Sequence, residues 1–309
     1  MAFTAKDVQA LREKTGAGMM DCKKALVEAD GDMDKAVDVL RERGLALATK
    51  KASRIAAEGV VLAYNDEEKN VGVLVEVNSE TDFVAKNEKF QNLVLDVAKT
   101  IVSQNPADVE TLLTLKLEGS EDTVQDAFQN AVLSIGENMK IRRFVRHEGI
   151  VSTYIHAGGS VGVMVTFDCA DESYKNDTFK AMGKDVAMQV AAMNPQYLEG
   201  DKVPADVIEH EKGIMIAQMK EDPKMANKPE KVMEGIISGK INKFFKEVCL
   251  LDQAFVKDDS VNVRTYVANT AKELGGAFTV SGFYRFAKGE GLAKREDNFA
   301  DEVASMMGK

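Results

Sequence analysis

The chain has 309 residues, 45% hydrophobic and 29% charged, with 5 Pro against 23 Gly and no Trp. That is ordinary globular composition with room for about two domains, and it excludes a disordered, collagen-like or fibrous chain. Asp and Glu number 50 against 40 Lys and Arg, and the net charge of −10 disfavours non-specific attraction to nucleic acid phosphates.

Thr4 and Asp7 form a capping-box pattern, and Val8, Leu11 and Arg12 follow at helical spacing until Thr15-Gly16 ends the run. A second helix is predicted from Met19 to Ala29. Gly31 and Asp32 then supply a terminating glycine and the next N-cap, and Met33, Ala36, Val37 and Leu40 mark an apolar face up to Gly44. Residues 1–54 thus read as a three-helix module that leaves through a basic, helical linker, Thr49 to Arg54.

From Glu58 the pattern changes to period two: Gly59 to Tyr64, a polar turn from Asn65 to Asn70, then Val71 to Val77, a predicted hairpin. Phe90, Leu93, Val94, Val97, Ala98 and Ile101 return to helical spacing. The same unit recurs ninety residues later: Glu58-Gly59 becomes Glu148-Gly149, Val61 becomes Val151, Tyr64 becomes Tyr154, Gly72-Val73 becomes Gly162-Val163 and Val75 becomes Val165. After one deletion Phe90 matches Phe179, and Asp96-Val97-Ala98 matches Asp185-Val186-Ala187. The fold class is therefore α+β, with residues 55–142 and 143–259 as duplicated core subdomains built on antiparallel sheets. A charged helical stretch between Asp108 and Asn138 joins the copies, and Ile141-Arg142-Arg143-Phe144 opens the second.

A helical hairpin interrupts the second copy at about 198–248. Val207, Ile208, Ile214, Met215 and Met219 lie on a helix ending at Asp222-Pro223; Val232, Ile236, Ile241, Phe244 and Val248 lie on another begun at Pro229. Its apolar stripe can be covered by the chain's own core or by a second copy in a homodimer, and the pattern leaves both open. A helix from Ser260 to Leu274, a strand from Ala277 to Ala287 and a terminal helix around Phe299 to Met306 make up the last region, 260–309.

Few residues carry recognisable chemistry. Gly158-Gly159-Ser160-Val161-Gly162 matches the pattern of a serine hydrolase, but a nucleophile elbow needs a strand followed by a helix, and here strands flank both sides, so Ser160 is a turn residue. Asp30, Asp32 and Asp34 imitate a calcium loop, yet Lys35 stands where glycine is required and Arg41 where the bidentate glutamate belongs. No glycine loop for phosphate is present, and His147, His156 and His210 lack metal spacing. Cys22, Cys169 and Cys249 are far apart with no CxxC, which fits buried, reduced thiols. Neither a membrane span nor a secretory signal is visible, so the expected location is cytoplasmic. No catalytic residue, metal site or cofactor is expected, and no direct binding of nucleotide, nucleic acid or membrane.

One connector stands out. Asn78-Ser79-Glu80-Thr81-Asp82-Phe83-Val84-Ala85-Lys86-Asn87 sets an aromatic among polar residues, whereas the matching stretch of the second copy is Asp171-Glu172-Ser173-Tyr174. Phe83 either folds into its own core or is presented to a partner, as interface anchors are. Met19 and Met20 are adjacent on a helix, so at least one is expected to be exposed.

Thr15-Gly16-Ala17-Gly18-Met19-Met20-Asp21-Cys22-Lys23-Lys24-Ala25-Leu26 and Thr81-Asp82-Phe83-Val84 resemble the elongation factor Ts family, the guanine nucleotide exchange factors of elongation factor Tu. The resemblance continues through Ile135-Gly136-Glu137-Asn138-Met139-Lys140-Ile141-Arg142-Arg143, Gly239-Lys240-Ile241-Asn242-Lys243-Phe244 and Phe286-Ala287-Lys288-Gly289-Glu290-Gly291. Ala254 departs from it, since the family usually has proline there. The resemblance implies a ubiquitin-associated-like N-terminal module, a duplicated core, a coiled-coil insertion and a C-terminal module. It further implies that Thr81, Asp82, Phe83 and Val84 reach into the partner's GTPase domain near its magnesium and phosphate site, promoting GDP release. Arg12, Met19 and Met20 would contact another helix of that domain, and Ile135 and His156 match further interface positions. Read from the residues alone, Ile135 is helix core and His156 is an exposed residue beside a turn. The alternative function is an adaptor whose helical module binds unfolded or tagged proteins.

Overall fold

The computed structural model describes residues 3–221 and 229–293. The capping box forms as expected: the Asp7 carboxylate accepts from the Thr4 N–H at 2.6 Å while the Thr4 hydroxyl accepts from the Asp7 N–H. It starts α1 (Ala5–Thr15), which is followed by α2 (Met19–Glu28) and α3 (Met33–Lys51). Val8, Leu11, Cys22, Ala25, Leu26, Ala36 and Leu40 close a small core among the three. α3 does not stop at Gly44 but continues to Lys51.

The first hairpin is β1 (Glu58–Asp66) with β2 (Val71–Ser79), and it leads through the short α4 (Asp82–Ala85) to α5 (Glu88–Gln104). α6 (Val109–Thr114) and α7 (Val124–Ile135) then bring the chain to β3 (Met139–Glu148). β3 pairs antiparallel with β2 over its whole length, so Ile141 to Phe144 close the first sheet instead of opening the second copy. A boundary between 142 and 143 would cut that strand. Ile141 faces the first core, while Arg142 and Arg143 turn to the other side and bond Glu76.

The second copy runs through β4 (Ile150–His156), β5 (Val161–Cys169), a single 3-10 turn at Glu172–Lys175 and α8 (Asp177–Met193). The hairpin follows as α9 (Ala205–Glu221) and α10 (Glu230–Val248), then β6 (Ala254–Phe255), β7 (Asp258–Asn262), α11 (Val263–Leu274) and β8 (Phe278–Ala287). α11 begins later than the expected Ser260, because 258–262 is extended against β6 and Asn262 caps the helix. The expected helix around Phe299 to Met306, and the Asp222-Pro223 end of the first hairpin helix, lie outside the described residues.

The duplication extends beyond the matched hairpins. Tyr64 pairs with Val73 and Tyr154 with Val163, and the third strands β3 and β8 add to the same edge in each sheet. Each third-strand pairing slips at one bulge, at Glu76/Val77 in the first sheet and Thr166/Phe167 in the second. The helices ahead of the third strands also match, α7 from Thr123 to Gly136 with α11 from Asn262 to Gly275.

The two sheets pack face to face, each with its helix outside, α5 on the first and α8 on the second. Glycines permit the approach: a Cβ on Gly72 would overlap Val151 and Met164, and one on Gly162 would overlap the equivalent pair Val61 and Leu74. Coverage on both faces explains why every residue of β2 is buried, a pattern that half-exposed alternation does not produce.

Gly44 carries a different kind of approach. α3 passes the backbone of α7 closely enough that a Cβ at 44 would sit 3.2 Å from the Gln129 carbonyl oxygen. Beyond Gly44, Leu47 and Ala48 join the first core, Leu133 of α7 joins the N-terminal core, and Arg41 bonds Asp122 at 2.6 Å. In the hairpin, Met219 and Ile241 are buried while Ile214, Ile216 and Val232 are exposed.

Candidate partner-binding surface

β2 ends at Ser79 and the chain turns through Glu80 and Thr81 into α4. The Ser79 hydroxyl donates to the Thr81 carbonyl at 2.9 Å. Both the N–H and the hydroxyl of Thr81 donate to the Glu137 carboxylate, at 2.9 and 2.7 Å. In return the Asn138 N–H donates to Glu80 at 2.6 Å, and Arg54 reaches the same carboxylate at 3.3 Å. The turn is therefore tied twice to the segment between α7 and β3.

From this base α4 makes one turn. Val84 and Ala85 enter the first core, and Phe83 points away from it with 79% of its surface exposed. A phenyl ring left in water forgoes roughly 1.5–3 kcal/mol of burial, which makes it a ready anchor for another surface. Asp82 opens the helix and bonds Lys86 at 2.7 Å. That bond, helped by Lys288, holds its carboxyl below the ordinary aspartate range.

On the N-terminal module both methionines are exposed, Met19 by 45% and Met20 by 60%. Cys22, Ala25 and Leu26 take the inward face of α2, leaving the first turn to solvent. Arg12 is exposed on α1, and among the described residues no carboxylate lies within ion-pair distance of it. Ile135, the last residue of α7, is half-buried against the first core, two positions before Glu137. His156 is exposed at the end of β4, its ring nitrogen 3.1 Å from the Tyr154 hydroxyl.

A second group was not read from the sequence. Glu76 is fully buried and accepts from Arg143 at 2.7 Å, Arg142 at 3.0 Å, Asn78 at 3.2 Å and the Gly289 N–H at 2.8 Å. Burial alone would raise its pKa, but the Gly289, Arg143, Arg142 and Asn78 hydrogen bonds together outweigh that and lower it. Gly289 has φ +66°, and a Cβ there would meet the Ala57 carbonyl at 2.2 Å, so only glycine lets the turn after β8 lie against the start of β1. Lys288 in that turn bonds Glu58. One signal was available: Glu76 interrupts the apolar run from Val71 to Val77.

Ser160 lies in the β4–β5 turn, where residues 157–159 all have positive φ and its hydroxyl donates to the Ala157 carbonyl at 3.1 Å. A cavity of about 900 Å³ is lined by Phe167, Cys169, Tyr174 and Phe278 among others and contains none of the predicted site residues. Cys22 and Cys249 are buried, whereas Cys169 is half-exposed, contrary to expectation, because the turn at 170–171 leaves the end of β5 open. Among the described residues no group of three or more His, Cys, Asp or Glu could hold a metal ion, and no helix is long and apolar enough to cross a membrane.

Residues 80–290 match the family described as Elongation factor TS. A protein of Syntrophotalea carbinolica named Elongation factor Ts is 50% identical over 309 residues, covering 99% of each chain. Proteins of the same name from Trichlorobacter lovleyi and Clostridium perfringens are 49% and 48% identical, covering 100% and 99% of this chain and 99% and 100% of their own.

Proposed function

Since the chain belongs to the elongation factor Ts family, we propose that it binds elongation factor Tu and promotes release of GDP by displacing the elements around the partner's magnesium and phosphate site. The single observation that carries this reading is Phe83, an exposed aromatic on a turn whose base is held by paired hydrogen bonds. In this reading Phe83 inserts between helices of the partner's GTPase domain. Asp82 places a negative charge beside it, in competition with the contacts that hold magnesium and phosphate, and Thr81 and Val84 fix the turn. Arg12, Met19 and Met20 form a second contact, so residues 1–54 contribute affinity more than the exchange step itself. Ile135 and His156 border the same surface.

No covalent chemistry is required. Factor and nucleotide bind the partner with opposed preferences, and by linkage each weakens the other by the same factor. The chain itself provides no phosphate loop, so calorimetry with GDP or GTP and the isolated chain should record no micromolar binding. The test of function is stopped-flow release of labelled GDP from purified elongation factor Tu. Acceleration that saturates with added chain supports exchange; an unchanged rate rejects it and favours an adaptor role.

A further inference from the structure

The two surfaces assigned to the partner sit on different parts of the chain, and one short segment joins them. Gly136-Glu137-Asn138, between α7 and β3, holds the end of α3 and the segment after it on one side: the Lys51 ammonium donates to the Gly136 carbonyl, and the Asn138 side chain donates to the Arg54 carbonyl at 3.0 Å. On its other side it holds the Phe83 turn through the two Thr81 bonds to Glu137 and the Asn138 N–H bond to Glu80. We propose that Glu137 is a positioning residue for Phe83, its carboxylate keeping the turn at 80–85 in the one conformation that presents the ring while Val84 and Ala85 stay buried.

The second copy is the internal control. The position equivalent to Glu137 is Gly276, and the position equivalent to Phe83 is Ser173. There the chain folds down until the Ser173 side chain lies against Gly276, where any Cβ would overlap it at 2.2 Å. With a carboxylate at 137 the first copy cannot collapse in that way. The carboxylate instead receives both Thr81 donors, and the residue two positions on is turned outward. A carboxylate accepting two hydrogen bonds is a strong tether in a partly buried site. Loosening it divides the turn between competent and incompetent conformers, and apparent affinity falls by the competent fraction.

This inference rests on the exchange reading, and the test separates the two. GDP release from elongation factor Tu is measured against concentration for the full chain, Glu137→Ala, Glu137→Gln, Phe83→Ala and Phe83→Ala/Glu137→Ala. Glu137→Ala should raise the half-saturating concentration about 10-fold with little change in maximal rate, a loss of about 1.4 kcal/mol. Glu137→Gln, which retains one acceptor oxygen for Thr81, should recover part of that loss. In the Phe83→Ala background the same substitution should change little, because there is no ring left to position. Amide exchange of Thr81 should speed up in Glu137→Ala while the protection of β2 is kept. An equal effect of Glu137→Ala with and without Phe83, or no effect where Phe83→Ala has one, overturns the proposal. No effect of Phe83→Ala itself overturns the underlying reading instead.

Discussion

The two halves of the core share one backbone plan and use it for opposite ends. At the equivalent bulges the first sheet holds Glu76 against Arg142, and the second holds Thr166 against Ser281, hydroxyl to hydroxyl at 2.9 Å. At the equivalent connectors the first copy turns Phe83 outward, while the second caps a tight 3-10 turn with Asp171 and lays Ser173 on Gly276. Asp171 accepts from the Ser173 and Ala277 N–H groups and from the Ser173 side chain, which brings its pKa down to about 2. The scaffold is present twice; the buried carboxylate at the bulge and the exposed ring at the connector occur in the first copy alone.

The largest effect on stability should come from the bulges. Glu76→Ala leaves two guanidinium groups facing an empty buried site and should cost roughly 3–5 kcal/mol in denaturant unfolding. Thr166→Val, which breaks only a neutral pair, should cost about 1 kcal/mol. Equal losses at the two bulges would remove the contrast between the copies.

The connectors come next. Gly276→Ala must push Ser173 and its backbone away and should destabilise by about 1–3 kcal/mol. Glu137→Ala removes two charge-assisted hydrogen bonds from the half-buried Thr81 and should cost about 1–2 kcal/mol, well below the loss at Glu76. A loss at 137 as large as that at Glu76 would make that residue an ordinary structural support.

A smaller effect is the acid response. Because the Glu76 pKa is lowered in the folded state, its contribution is full above the ordinary glutamate value near 4.3 and is lost as pH falls through the folded value. The stability gap between the full chain and Glu76→Gln should therefore be widest near neutrality and close below about pH 4. A gap that is flat from pH 7 to 3 contradicts the assigned charge state.

Much of this contrast could be read in the sequence. Identities ninety residues apart placed both hairpins and both long helices in the right register, because two-residue alternation and paired glycines survive duplication. The strand from Ala277 to Ala287 is legible, but its equivalence to β3 is not. Only scattered matches such as Phe144 with Phe283 and Arg146 with Arg285 connect them, and the helical hairpin changes their spacing. The apolar face that runs up to Gly44 does not end the helix there, since contact with α7 outweighs the local penalty of about 1 kcal/mol for glycine. The aromatic at 83 was visible from its polar neighbours. Its outward direction was not, because that depends on Glu137, which is remote in sequence and brought beside Thr81 only by the closure of the first sheet.

The central claim is that Phe83 acts on a partner and not on its own fold. It is tested by measuring GDP release from elongation factor Tu and thermal unfolding on one preparation of Phe83→Ala. Loss of the ring's burial in the partner predicts exchange slower by about 10–150-fold, corresponding to roughly 1.5–3 kcal/mol, with an unchanged melting temperature. Asp82→Ala should give a weaker loss in the same assay. Unimpaired exchange, or a melting temperature lowered by many degrees, would contradict the claim.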